Sequence, residues 1–381
     1  MTTYTPWDYL IIGAGVSGLA MGWRLAQRGH RVLILEREQA GSGASRAAGG
    51  MLAPTAEVKF EEEALLRLGQ LSLELYPSFV AELEQAAAMS VDYRSEGTLV
   101  VGLDRDDVEA LDHIHRYHKE LGLAAERLTA EAARKREPGL SPNVQAALYC
   151  PADHQLDPRR LVEALAIAFE RAGGTLLEHT PVAEIVCEGA RVCAALAADG
   201  RRFEAGEIVI AAGAWTRTLR GLAPEHMPHV RPVRGQMIAI ALGEPALCRH
   251  VIRGPDAYLI PHTSGQLIIG ATSEEMGFDA RLTAGGVFEL LRGAWEMLPG
   301  IYDSALLDMW TGFRPVSLDG APILGPSPHI EGLWFAVGHG RNGILLAPIT
   351  AQLMADALES KQSSGAMAAF LPDRFRRRQK R

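Results

Sequence analysis

Three glycines near the head of the chain constrain its fold more than any other feature. Gly13, Gly15 and Gly18 form a G-x-G-x-x-G spacing directly after the apolar run DYLII at residues 8–12. They open a stretch with helical spacing (Val16, Leu19, Ala20, Trp23, Leu25, Ala26) that stops at Gly29. A second apolar run, Val32 to Leu35, ends in Glu36, so strand, helix and strand follow one another in about 30 residues, the size of a βαβ unit. In that context the first glycine permits the tight turn, the second lets backbone approach a pyrophosphate, and the third lets helix and strand pack. The phosphates then meet the free N–H groups at the positive end of the helix. Glu36 suits a ribose 2′-OH and repels a 2′-phosphate. The motif implies an adenine dinucleotide other than NADP and leaves FAD and NAD undecided, because both share the AMP half.

The rest of the chain narrows the class. Its 381 residues suit two or three domains, and 48% hydrophobic with 22% charged residues is globular composition. A net charge of −8 argues against nucleic acid, whose binders need a basic surface. Cys150, Cys187, Cys193 and Cys248 form no C-x-x-C pair and read as reduced thiols. No signal-peptide pattern opens the chain and no apolar run of about 18 residues follows, so the expectation is a cytoplasmic protein without integral membrane contact. The basic tail FRRRQKR at 375–381 reads as a solvated terminus. His113, His115 and His118 lie on a charged helix with no carboxylate placed beside them; they read as a solvated face, and no metal site is expected.

Helices are expected over about 61–88, 104–121, 157–173 (Asp157 as N-cap, Pro158 in the first turn, Gly173 at the stop), 283–298 and 344–359. A hairpin is expected around Asp199-Gly200, strands fill 231–273, and Leu333–Val337 precedes the loop GHGRNG. There is no repeat and no Pro/Ser-rich linker, which points to interleaved domains. Glycine is in excess, 39 of 381. Beyond the first motif it recurs at 41–50, 211–213 and 338–343, far apart in sequence, as a long ligand with a bulky end requires. Opening the last helix, GHGRNG would turn its amides and dipole toward negative charge on such a ligand.

Taken together, the amino-terminal glycine motif, Glu36, GSGASRAAGGMLAP, AAGAW, GFRPVSLDGAPILG and GHGRNGILLAP resemble the FAD-dependent amine and amino-acid oxidases of the D-amino-acid oxidase group, nearest to its glycine-oxidase (ThiO-like) branch, over residues 9 to about 358. The resemblance implies an α/β fold. A Rossmann-type FAD-binding domain (1–85, 150–225, 308–381) would be interleaved with an α+β substrate-binding domain on a mostly antiparallel sheet (86–149, 226–307). It implies FAD contacts at Gly13, Ala14, Gly15, Val16, Ser17 and Gly18; at Glu36 and Arg37 by the ribose; at Ala44, Ser45, Gly49, Gly50 and Met51; and at Val182, Gly213 and Trp215. The contacts close with His339, Gly340, Arg341, Asn342, Gly343, Ile344 and Leu345 at the flavin. No cysteine lies in 310–345, where sarcosine-oxidase relatives attach flavin, so the FAD is expected to be non-covalent.

The same resemblance implies oxidative deamination of glycine or another small amino acid, with O2 as acceptor, H2O2 as product and a place in thiamine synthesis. Oxidising an amino acid at a flavin is mainly a positioning problem, and a carboxylate is best held by a guanidinium. Arg314 matches the carboxylate-binding arginine, Tyr258 the tyrosine closing the site, Arg341 a second arginine and Met51 a pocket wall. Two positions depart from the glycine-oxidase pattern: Asp256 replaces a histidine and Ser273 a large apolar residue, which would admit a larger or cationic substrate with Asp256 near its amine. A dehydrogenase of D-amino or imino acids feeding a quinone, and a flavin-binding sensor without turnover, remain as alternative readings. The sequence leaves room for a homo-oligomer.

Overall fold

The computed structural model describes residues 7–375; the first residues, and the basic tail from 376, lie outside them. Strand β1 (Trp7–Ile12), helix α1 (Val16–Gln27) and strand β2 (Val32–Leu35) form the expected unit. β1 is the middle of five parallel strands, in the order Leu333–Val337, Arg202–Ile210, β1, β2, Thr175–Leu177, and Ile323–Pro326 pairs antiparallel on the outer edge of Leu333–Val337. The central strands are continuous apolar runs because both faces are covered. Ile11 and Ile34 pack under α1 and the helices Pro158–Arg171 and Ala347–Ser360, while Leu10, Ile12, Leu33 and Leu35 face the opposite cluster with Ile185 and Val192.

The hairpin around Asp199-Gly200 is one turn of a three-stranded meander, Val182–Glu188, Arg191–Ala197 and Arg202–Ile210. The middle strand is the first arm of that hairpin, and Val182–Glu188 pairs along its other edge. Helices occupy Glu63–Ala87, Arg105–Glu120 and Ala284–Met297. Asp157 caps Pro158–Arg171 by accepting the N–H groups of Arg159 (2.8 Å) and Arg160 (3.3 Å).

A second eight-stranded sheet runs Leu306–Ser317, Val230–Ala241, Gln266–Gly270, Tyr258–Pro261, Val251–Arg253, Thr98–Gly102, Ala146–Cys150, Glu126–Thr129, and is antiparallel except where Val251–Arg253 meets Thr98–Gly102. Strand Leu306–Ser317 pairs with Val230–Ala241 from Val230↔Ser317 to Ile240↔Leu306. The boundary expected at 308 would cut that strand, and hydrogen bonding assigns it to the second sheet. One face packs on helix Ala284–Met297 through Ile238, Leu259, Ile269, Leu290 and Ala294. The other carries Met237, Ile260 and Ile268, with Met51, Tyr258 and Trp310 against them. All four cysteines are unpaired. No helix among the described residues is long and apolar enough to cross a membrane.

The junction of β1 and α1 is tight. A Cβ on Gly18 would stand 2.0 Å from the Gly13 carbonyl oxygen, and one on Gly13 (φ +109°) would stand 2.5 Å from that of Ala211. Gly18→Ala is therefore expected to cost about 1–3 kcal/mol by forced backbone displacement, read as a lowered urea midpoint.

A second prediction concerns Asp153, which is fully buried and accepts the N–H groups of Thr55 (3.1 Å) and Ala56 (2.9 Å). Burial pushes its carboxyl up to about 7, against the pull of those bonds. The native state therefore holds a proton that the unfolded chain releases near pH 4, and the stability gained at low pH is lost as pH rises through 7. Asp153→Asn is expected to flatten the fall in urea midpoint between pH 5 and pH 8; an unchanged slope would show that Asp153 does not titrate there.

Candidate functional site

A cavity of about 660 Å³ opens where the carboxyl ends of the parallel strands face the second sheet. Gly15, Val16 and Ser17 line it, so the amino-terminal end of α1, where a helix leaves N–H groups without helical partners, borders the cavity. Ser45, from the short helix Ala44–Ala47, accepts the Val16 N–H at 2.9 Å and ties that turn to the loop GSGASRAAGG. Glu36 accepts the Ala14 N–H at 2.7 Å and the Glu38 N–H at 3.0 Å. A carboxylate has about four acceptor sites, so room remains for a ribose hydroxyl. Nearby, the Arg37 guanidinium lies 4.2 Å from the ring centre of Trp215, which stacks on Phe278 at 5.2 Å. Pro181 and Val182 complete this part of the wall. Glycine-lined backbone, a helix start at the wall and an acid at the end of β2 fit an extended adenine dinucleotide such as FAD.

Ala44, Gly49, Gly50, Met51, Gly213, His339, Gly340, Gly343 and Ile344 also line the cavity. Ala14, Gly18, Asn342 and Leu345 do not. Gly18 is packed beneath the turn, Ala14 is buried, and Leu345 lies in the helical core, its carbonyl accepting the Ser72 hydroxyl at 2.6 Å. GHGRNG does not begin the last helix. It forms a 3-10 turn, Gly340–Asn342, and the helix starts at Ala347. Backbone N–H groups of that turn, rather than a long helix dipole, are what it offers a ligand. Burial lowers the His339 imidazole to about 4, leaving it neutral, and its Nε2 lies 3.2 Å from the Thr350 hydroxyl.

At the far end, Tyr258 and Arg314 come together from two strands of the second sheet. Arg314 donates from Nη1 to the Thr272 carbonyl at 2.9 Å and has no carboxylate partner among the described residues. Burial raises the Tyr258 phenol and the Arg314 charge opposes the rise; the hydroxyl stays protonated at neutral pH, 3.5 Å from the Met237 sulfur. Two glycines that sequence reasoning missed make the room. A Cβ on Gly235 would lie 2.7 Å from Arg314 Nη1, and one on Gly270, opposite Tyr258 in the ladder, 2.6 Å from the tyrosine ring. Both sit in ordinary strand sequence, so only the cross-strand register reveals them.

Four further expectations change. Arg341 lines the cavity, but its guanidinium is ion-paired to Glu62 and lies 3.8 Å from Glu57. Asp256 sits exposed on the rim and pairs with Arg292 at 3.0 Å, so its carboxylate is already engaged. Ser273 is likewise exposed at the rim. His118 is buried, its Nε2 3.0 Å from the Thr55 carbonyl, rather than part of a solvated face.

Residues 8–357 match the family model described as FAD dependent oxidoreductase (DAO). Known relatives include a glycine oxidase of Geobacillus kaustophilus, 36% identical over 96% of this chain and 96% of that protein. A bifunctional ThiO/ThiG protein of Synechocystis is 36% identical over 97% of this chain, which spans only 54% of that longer protein. Among solved structures, the Geobacillus kaustophilus glycine oxidase superposes with a TM-score of 0.91 at 35% identity, covering 97% of this chain and 99% of that one. Iminodiacetate oxidase from Chelativorans sp. BNC1 gives 0.84 at 28% identity, covering 96% and 98%.

An unpaired guanidinium beside a phenol donor should bind a simple carboxylate. Arg314→Gln removes one charge-assisted contact worth roughly 1.5–3 kcal/mol, so acetate affinity, followed by calorimetric titration, is expected to fall about 10- to 100-fold.

Proposed function

The chain belongs to the DAO family of FAD-dependent oxidoreductases, and from that premise we propose that it oxidatively deaminates glycine or another small amino acid or N-alkyl glycine. The observation that carries this reading is Arg314, left without a carboxylate partner beside the Tyr258 hydroxyl at the inner end of the cavity. Bound FAD would supply the two-electron acceptor for the hydride of the substrate α-C–H, with O2 as the final acceptor and H2O2 as product. The protein's own part is positioning. Arg314 takes both carboxylate oxygens, and Tyr258 donates to one of them. The thioethers of Met51 and Met237 pack beside them and limit water around the α-carbon. His339, neutral and buried, brings no charge to this end. Water then hydrolyses the imine to an α-keto acid and ammonia or an amine. The ThiO/ThiG relative supports a link to thiamine synthesis, in which the imine would be consumed.

The decisive experiment adds glycine, sarcosine, D-alanine and D-lysine to the yellow protein without oxygen and follows the flavin band. Bleaching by glycine or sarcosine, with one H2O2 per amine oxidised once air is admitted, is the expected result. Bleaching without peroxide but with dye reduction would place the chain among quinone-linked dehydrogenases, and failure of every amine to bleach would sink the reading. In Tyr258→Phe, KM for the substrate is expected to rise about 3- to 10-fold, the worth of one net hydrogen bond of about 1 kcal/mol, with FAD still bound.

A further inference from the structure

The charges around the inner end of the cavity nearly all answer one another. On the rim, Arg231 meets Glu275 at 3.0 Å and Asp256 meets Arg292 at 3.0 Å. Deeper in, Glu57 joins Arg253 through one carboxylate oxygen and lies 3.8 Å from Arg341 through the other, while Glu62 pairs with Arg341. Lys59, a further cation on this part of the wall, is exposed and solvated. Two half-buried guanidinium groups are thus matched by two carboxylates, and among the described residues of this wall Arg314 is the one left without a carboxylate.

Arg253 is close to the bound substrate's expected place. It is the ladder partner of Tyr258 across the antiparallel pair Val251–Arg253 and Tyr258–Pro261, so the two side chains project from the same face of the sheet. The charges of Arg314, Glu57 and Arg253 all act on the Tyr258 hydroxyl. Glu57 is itself pinned. Its N–H donates to the Ala53 carbonyl at 3.1 Å, and the preceding Thr55 and Ala56 N–H groups are held by Asp153. A partly buried ion pair of this kind gains little stability from its two charges together, but removing one member leaves the other unbalanced.

We propose that Glu57 is a specificity-determining residue that occupies Arg253 while Glu62 holds Arg341, so that the pocket offers a single guanidinium. Amines with one carboxylate are accepted and those with a second are refused. A second carboxylate would have to displace Glu57 or lie beside it, and like charges at close range disfavour both arrangements. This inference rests on the proposed amine oxidation for its substrates but not for its binding test.

Sarcosine and iminodiacetate make a matched pair, because both are achiral N-alkyl glycines and differ by one carboxylate. In Glu57→Gln the ratio of kcat/KM for iminodiacetate to that for sarcosine is expected to rise at least tenfold over the wild type. It should fall back in the double variant Glu57→Gln/Arg253→Gln. A purely structural strut would lower both substrates together and leave the ratio unmoved, which overturns the proposal, as does a gain that survives the loss of Arg253. A second measurement needs neither turnover nor a variant. Titrating the wild-type holoprotein with acetate and with malonate, read by perturbation of the flavin spectrum, should give malonate no tighter than acetate, and tenfold tighter malonate would overturn the inference. Failure of the proposed function would show instead as a flavin that no amine bleaches.

Discussion

The molecule depends on one close approach of backbone to backbone. Gly18 of α1 rests on the Gly13 carbonyl at the end of β1, and Gly13 in turn lies against Ala211 at the end of the neighbouring parallel strand. No side chain fits in either gap, so the amino end of the helix is drawn to the mouth of the sheet. Its amino-terminal end, with the N–H groups that lack helical partners, then borders the cavity, and Ser45 and Glu36 reach in from either side to tie the turn in place. A looser junction would tilt the helix and move those groups away from where a pyrophosphate must lie.

The second sheet does the opposite work with the same device. Here it is missing side chains in the strands, at Gly235 and Gly270, that let Arg314 and Tyr258 lie flat against the sheet and reach the cavity. The glycine excess is therefore not confined to the loops of the nucleotide-binding part. Alternation along each strand separates the faces: Ile238, Leu259 and Ile269 pack on helix Ala284–Met297, while Met237, Ile260 and Ile268 turn toward the site. Positioning chemistry suits such a wall, because cross-strand register holds side chains more firmly than a loop does.

Electrostatics decides which of the arginines is free. Arg253 and Arg341 both line the cavity, yet Glu57 and Glu62 hold both. Reading Arg341 by motif alone placed it in the site but said nothing of its partner, which lies far away in sequence. The same holds for Asp256, whose charge is spent on Arg292. A motif names the residue type at a position; its available charge depends on what the fold brings beside it.

The sequence alone determined the βαβ unit, the nucleotide-binding turn, the helix caps at Asp157 and the strand at Leu333–Val337, because these are set by short-range spacing and by glycine and proline sterics. It also marked Tyr258 and Arg314 through motif resemblance. Only the tertiary structure decided the partition of strands between the sheets, with Leu306–Ser317 belonging to the second, since strand pairing is made by residues distant in the chain. It also decided which marked residues face the cavity, sending Leu345 to the core and leaving Ile344 at the wall. Finally, it left Arg314, on the cavity wall, without a carboxylate partner among the described residues, because an ion pair is a property of two positions in space and no single stretch of sequence contains both.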